Sequence, residues 1–259
     1  MKKNKKLLIL LTFLLIIIII TVIAYLVLGY DDSKNLKRIK LNFEKSSTKI
    51  SEFSNDEVVV LGWIQVQGTN INLPVVHASA LYEENIDFDY AWRSPSYIDG
   101  DNREVILGHN ILNVSNQPIY NQNNLRKFEA LMNFTYSTFA YENQYIQYSK
   151  NNQDDLYIIY AVGFYDYYFD DEGGINDKDE LAEYIKTAKE NSIYDYDVDV
   201  DNNDELISIR TCTRYFGRSE KQQFIIEARK VRDEEEIVKY KVSKNYNYDK
   251  LNINDLKID

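Results

Sequence analysis

The chain has 259 residues and a formal net charge of −11, from 41 acidic and 30 basic side chains. The first six residues carry four lysines and the next 22 carry no charge, so residues 29–259 carry −15. An acidic surface of this kind argues against nucleic acid or an anionic membrane surface as the main partner. The chain beyond the first 28 residues is long enough to bury one sizeable core.

An uncharged apolar segment, residues 7–28, follows the basic residues 1–6. A helix of that length spans about 33 Å, which is enough to cross the hydrocarbon core of a bilayer. Lysines before the segment, and Asp31 and Asp32 after it, predict a cytoplasmic N-terminus and an extracellular bulk. We therefore predict a single-pass protein of the cell membrane, with residues 29–56 as a juxtamembrane stalk or helix.

A cleaved signal peptide is the alternative interpretation of the same segment. Signal peptides have a shorter apolar region, followed by small residues at the cleavage site. Here the bulky Tyr25, Leu26 and Val27 occupy that stretch. The pattern favours an uncleaved signal-anchor.

Strands dominate the rest of the chain, because apolar and β-branched residues alternate over short stretches between turn residues. The predicted strands lie within residues 58–76 (a pair around the turn at 68–70), 104–107, 134–149 (a second pair), 155–164, 205–211 and 223–231. Regular alternation of strands with helices is missing from the sequence. The pattern therefore predicts a mainly β barrel or sandwich with inserted helices, not a doubly wound sheet.

Two helices are predicted between the strands. Asp177 and Glu180 fit a capping box at the start of a helix over residues 177–191. Its apolar face consists of Leu181, Ile185 and Ala188. A second helix is predicted at 124–132, and its apolar side consists of Leu125, Phe128 and Met132.

The single cysteine, Cys212, ends an apolar strand and enters a polar loop. It cannot form a disulfide within its own chain, so it is a small buried hydrophobe, a cross-chain disulfide or a nucleophile. The chain has two histidines, His77 and His109, and His109 directly follows Gly108 at the end of a short strand. A strand-end imidazole could activate the thiol if both strands share a sheet, which the residues alone leave open.

Metal and cofactor sites are not predicted. The acidic stretch Asp195–Asp201 alternates like a calcium loop but lacks the glycine at the sixth position and the closing glutamate at the twelfth. It is interpreted as a solvated edge.

Four segments resemble the sortase family, in the family's order. "ISIRTCT", with Thr211 and Cys212, resembles the strand that ends on the family's nucleophile, and "ILGHN" resembles its histidine strand. "GWIQVQGTNINLPVV" is similar to the stretch that opens the sortase barrel. The helix at 177–191 and the residues after it resemble the helix that class B sortases insert before the nucleophile strand. The resemblance covers residues 58–231.

The resemblance implies a sortase-like closed barrel of seven to eight strands as a catalytic domain over residues 57–232, with a C-terminal tail at 233–259. It implies a cysteine transpeptidase in which Cys212 attacks the C-terminal sorting signal of a secreted protein. The thioacyl intermediate would pass to an amine of a peptidoglycan precursor or a pilin. His109 would act first as the acid and then as the base.

One position departs from the family pattern. Sortases carry an arginine that opens the strand after the nucleophile, and matching "FIIEA" to that strand places Gln223 there. Glutamine can donate a hydrogen bond but brings no charge. Arg214 is the candidate for this substrate-binding and oxyanion role, and Arg218 or Gln223 itself are the alternatives.

Two other functions stay open, the first because of this departure and the second because of the lone cysteine. One is a catalytically impaired, sortase-like binding module. The other is a surface-anchored structural or adhesive protein that uses Cys212 for a cross-chain disulfide.

Overall fold

A computed structural model describes residues 15–20, 36–54, 59–77, 90–120, 124–125, 127–166, 174–217, 222–246 and 248. The chain divides into two compact units, Met1–Ile39 and Lys40–Asp259. In the first unit, residues 15–20 are helical and Lys37–Arg38 forms strand β1. The predicted signal-anchor lies mostly outside the described residues. Within the described ranges, no helix is both long and apolar enough to span a membrane.

A closed barrel of eight strands is the centre of the second unit. The strands of this unit are β2 (Val60–Val66), β3 (Asn72–His77), β4 (Ala91–Arg93), β5 (Arg103–Gly108), β6 (Tyr145–Lys150), β7 (Gln153–Asp166), β8 (Tyr194–Tyr196), β9 (Leu206–Cys212), β10 (Gln222–Lys230), β11 (Val238–Lys239) and β12 (Val242–Lys244). The barrel order is β10-β7-β6-β2-β3-β4-β5-β9. Neighbours pair antiparallel except β3 with β4 and β5 with β9, which are parallel. The predicted mainly β fold with a closed barrel is confirmed.

Four helical segments accompany the barrel. They are α1 (Lys49–Phe53), a 3-10 helix (Phe128–Thr135), α2 (Ser137–Glu142) and α3 (Lys178–Glu190). The predicted cap of α3 is confirmed, because the Asp177 carboxylate accepts hydrogen bonds from the backbone N–H groups of Asp179 and Glu180, both at 2.9 Å. The predicted apolar face of α3, Leu181, Ile185 and Ala188, is buried.

The predicted strand pair within residues 134–149 is half wrong. Only Tyr145–Lys150 forms a strand, whereas the earlier half continues the 3-10 helix to Thr135 and then forms α2. Phe134 and Phe139 explain the difference, because their rings pack edge to face with centroids 4.9 Å apart and both are buried. Packing between these two buried rings, one on each helical segment, overrides the strand propensity of an aromatic run.

Segments on both sides of the predicted domain pack on the barrel. In the segment before the domain, the Glu44 carbonyl accepts hydrogen bonds from the side-chain amides of Gln65 and Gln147, each at 2.8 Å. After it, β12 pairs antiparallel with β8, with Val242 opposite Tyr196. The barrel unit therefore takes in parts of the predicted stalk and tail.

Candidate active site

The parallel pairing of β5 with β9 positions the two residues singled out from the sequence. Its register places Gly108 opposite Thr211, at the carboxyl ends of both strands. The Thr211 hydroxyl donates to the Gly108 carbonyl at 2.7 Å and ties the two ends together. His109 and Cys212 are the next residues of the two chains, so they leave the same sheet edge side by side.

Gly108 lets the 3-10 helix pack closely under this edge. A Cβ atom at this position would lie 2.3 Å from the Phe128 ring, a distance that real side chains do not reach. Phe128 is buried and belongs to the 3-10 helix. The glycine before His109 therefore meets a packing requirement that a larger residue would break.

His109 is half-buried, and its ring packs against the Trp92 ring on β4 with centroids 4.8 Å apart. Burial, and then the positive charge of Lys127, lower the pKa of His109 below its usual 6.5. The imidazole is therefore mainly neutral at neutral pH. In that form it can accept a proton from a neighbouring thiol.

Cys212 presents an exposed thiol on a fixed backbone. Its carbonyl accepts a hydrogen bond from the side-chain amide of Asn110 at 3.0 Å. On the other side, β10 places Gln223 directly opposite Cys212 in the antiparallel ladder. Directly opposite residues of neighbouring strands point to the same face of a sheet, so Gln223 shares the face of Cys212.

The residues after Cys212 form a turn that contains Arg214. The Arg214 N–H donates to the Val114 carbonyl at 2.8 Å, and its own carbonyl accepts from the Gly217 N–H at 3.0 Å. Gly217 has a φ of 113°, which favours glycine. Arg214 is exposed in this turn. Arg218 lies outside the described residues.

No known protein-family profile matches the chain. A curated relative, sortase B of Staphylococcus aureus (strain NCTC 8325 / PS 47), is 23% identical over 200 residues, covering 75% of this chain and 77% of that protein. The predicted resemblance to class B sortases is confirmed by this relative. The predicted enzyme type, a sortase-type cysteine transpeptidase, is confirmed by this relationship.

Solved sortases share the fold. Sortase B of Clostridium perfringens superposes with a TM-score of 0.55 at 19% identity, over 73% of this chain and 100% of that chain. A Staphylococcus aureus sortase B–substrate complex also gives a TM-score of 0.55, at 14% identity, over 73% of this chain and 84% of that one.

The chain has an amide, Gln223, at the position where the sortase pattern has an arginine. Gln223 is 7% exposed and faces Cys212 on one side and Tyr165 of β7 on the other. Arg214 is the exposed alternative in the turn. The structure thus places both candidates near the end of the nucleophile strand but on different elements.

Sequence reasoning missed Arg210, which lies two residues before Cys212 on the same face of β9 and is 1% exposed. Burial raises the pKa of the Glu227 carboxyl on β10, and the charges of Arg210 and Arg103 oppose that shift. Tyr184 of α3 donates to Glu227 at 2.5 Å, so α3 covers this charged cluster. The signal that could have revealed it is the alternation of Ser208 and Arg210 with the apolar Ile207 and Ile209.

Other predicted candidates lie elsewhere. His77 ends β3, is exposed, and is paired in register with Arg93 of β4. In the acidic stretch, Asp199 and Asp201 lie within ion-pair distance of Arg232, at 2.7 and 3.6 Å. In the part of the chain that the structure describes, no three His, Cys, Asp or Glu side chains are grouped to hold a metal ion.

Proposed function

We propose that this protein is a membrane-anchored transpeptidase that cleaves the C-terminal sorting signal of secreted proteins through a thioacyl intermediate on Cys212. The observation that supports the proposal is the β5–β9 register, which pairs Gly108 with Thr211, the residues directly before His109 and the exposed Cys212. Residues 7–28 would hold the chain in the cell membrane, with the barrel outside. Nucleic acid is not expected as a partner, because the chain beyond the anchor is strongly acidic.

The first half-reaction forms a thioester. The Cys212 proton passes to His109, and Sγ attacks the scissile carbonyl carbon, so a C–S bond forms and the carbonyl oxygen becomes an oxyanion. The oxyanion then collapses, the C–N bond breaks, and His109 returns the proton to the leaving amine. The lowered pKa of His109 suits both transfers, because the neutral ring accepts the proton and the charged ring gives it up readily.

The second half-reaction transfers the acyl group. An incoming amine attacks the thioester carbon, His109 takes a proton from that amine, and the C–S bond breaks to release Cys212. Solved sortase B proteins have been described with a substrate and with a triglycine peptide, which supports a peptide donor and an amine acceptor here. The acceptor would be the amine of a peptidoglycan precursor or of a pilin.

Two side chains are candidates to hold the oxyanion. Gln223 faces Cys212 from the next strand and offers a neutral N–H donor. Arg214 offers a charged donor from the turn after the nucleophile. We propose Gln223 as the main donor, because its backbone is fixed in the ladder at the level of the thiol.

The test is intact-mass spectrometry of the full chain incubated with a panel of sorting-signal peptides. A mass increase equal to the N-terminal peptide fragment, located on Cys212 and removed by added triglycine, is the expected result. The Cys212→Ala variant should show neither the adduct nor peptide cleavage. Cleavage by that variant would refute the mechanism.

Two outcomes would support the alternatives instead. A folded chain with a reactive thiol but no adduct with any peptide would favour the sortase-like binding module, and the uncharged Gln223 would be its reason. A covalent dimer on non-reducing electrophoresis would favour the structural protein with a cross-chain disulfide at Cys212.

A further inference from the structure

The ladder between β5 and β9 ends one residue before the catalytic pair. Its last register pair is Gly108 with Thr211. The two chains meet again where the Arg214 N–H donates to the Val114 carbonyl at 2.8 Å. Between these points the segment that contains His109 is longer than the segment that contains Cys212. At Cys212 a side chain supplies a hydrogen bond that joins the two sides.

That side chain belongs to Asn110, the residue directly after His109. Its Nδ2 donates to the Cys212 carbonyl at 3.0 Å and to the Asn113 carbonyl at 3.1 Å. Its Oδ1 accepts from the Asn113 N–H at 2.9 Å, which sets the orientation of the amide. Asn110 is 8% exposed, so water competes little for these bonds. One planar group thus links the histidine segment to the nucleophile.

Asn113 holds the loop on the other side of that amide. Its side-chain Nδ2 donates to the Glu129 carbonyl of the 3-10 helix at 3.0 Å, and its Oδ1 accepts from the Ile119 N–H at 2.6 Å. Asn113 is 1% exposed. The Asn113 side chain therefore anchors the loop to the 3-10 helix, whereas Asn110 contacts only the Asn113 backbone.

We infer that Asn110 is a positioning residue for acyl transfer, which fixes the backbone of Cys212 relative to His109. This inference rests on the proposed function and adds a residue to it. Asn110 is covalently joined to His109 and hydrogen-bonded to Cys212, so it sets the separation of the two reacting groups without touching the substrate. A misplacement of about 1 Å between reacting groups can cost about 100-fold in rate.

The chain contains a matched control for this role. Asn113→Ala removes an amide of the same chemistry from the same loop. It leaves in place the Asn113 backbone N–H and carbonyl, which are the atoms that Asn110 contacts. Asn110→Ala instead removes the bond to Cys212. Asn110→Gln keeps an amide that is one methylene longer and serves as the conservative rescue.

The experiment measures kcat and KM for acyl-enzyme formation in the full chain and its variants, together with thermal unfolding. We expect Asn110→Ala to lower kcat by about 10- to 100-fold with KM changed by less than about twofold. Asn113→Ala should lower the unfolding temperature but keep kcat within about threefold. Asn110→Gln should recover part of the kcat that Asn110→Ala loses.

A second readout separates positioning from loss of the fold. The rate at which a small methanethiosulfonate reagent modifies Cys212 at high pH needs an accessible thiolate but no proton transfer to His109. This rate should stay within about twofold of wild type in Asn110→Ala. Should that variant fail to fold, Asn110→Ser takes its place, because its hydroxyl is too short to reach the Cys212 carbonyl.

Two results would overturn the inference. One is an unchanged kcat in Asn110→Ala, and the other is an equal loss of kcat in Asn110→Ala and Asn113→Ala. Failure of the proposed function looks different, because the wild-type chain itself would then form no thioester with any peptide.

Discussion

Different chemistry surrounds the two ends of the β9–β10 strand pair. At the end that carries Cys212, hydrogen bonds from the neutral side chains of Asn110 and Thr211 fix the backbone. At the other end, the Arg229 guanidinium binds both oxygens of Glu235, at 2.7 and 2.6 Å. Burial opposes ionisation of Glu235, but the bonds from Arg229 prevail and lower its pKa to about 2.

This difference separates stability from reactivity. Fixed charges shift the pKa of a thiol or an imidazole only when they lie close to it. The ion pair at the distant end can therefore hold β10 to the segment after it with little effect on Cys212 and His109. The neutral bonds beside the site hold the backbone without adding a further charge. Substitutions near either end of the strand pair test this separation of stability from reactivity.

The largest effect is expected from Arg229→Met, at the ion-paired end. It leaves the partly buried Glu235 carboxylate without its cation, which costs about 3 kcal/mol in the free energy of unfolding, at the low end of the range for a buried pair. Urea unfolding measures that loss. The rate of acyl-enzyme formation per folded molecule should stay within about twofold of wild type. A large fall in that rate would show that the two ends are coupled.

The stability of Arg229→Met should also depend on pH in a defined direction. The lowered pKa of Glu235 contributes stability above its usual value of 4.5, and the contribution is lost as the pH falls towards about 2. The difference between wild type and variant should therefore narrow over that range. Lys186→Ala, at an exposed ion pair on α3, is the control and should change stability very little.

The next effect concerns the donor that faces Cys212. Gln223→Ala should lower the rate of acyl-enzyme formation by about 100-fold, because it removes an oxyanion donor fixed in the ladder. Arg214→Ala should cost about 10-fold or less, because Arg214 is exposed in a turn. Peptide kinetics on both variants decide between them. The reverse ranking would assign the oxyanion role to Arg214.

The smallest effect is expected from Lys127→Met, which removes a positive charge from the surroundings of His109. The pKa of His109 should rise only part of the way towards 6.5, because burial is the larger cause of its lowering and remains. The midpoint of the part of the pH–rate profile that reports His109 should move to higher pH with it. Proton NMR measures this directly, because the chain has only two histidines. An unchanged midpoint would remove Lys127 from the electrostatics of the site.

The sequence was most informative where local pattern and tertiary contact agree. The apolar runs that became β7, β9 and β10 were predicted, because buried strands leave little choice of residue. The capped helix α3 was predicted from Asp177 and Glu180, whose bonds are local. The candidates Cys212 and His109 were recognised by type and position, and the structure supplied the register that brings them together.

The rest depends on contacts that no local pattern contains. Asn110 looks like an ordinary loop residue, because the carbonyl it binds lies 102 residues further along the chain. Arg210 was overlooked within an apolar strand, since only the cover provided by α3 explains a buried charge there. The aromatic run at 134–142 was assigned to the wrong element because Phe134 and Phe139 pack with each other.

The bond from Thr211 to Gly108 also spans a long stretch of chain, 103 residues. Contacts of such sequence separation form late in folding, because a large loop must close before they stabilise anything. The imidazole and the thiol consequently remain apart until the nucleophile strand docks beside the histidine strand. Synthesis starts at the N-terminus, so the growing chain does not react with peptides until nearly the whole barrel has been made.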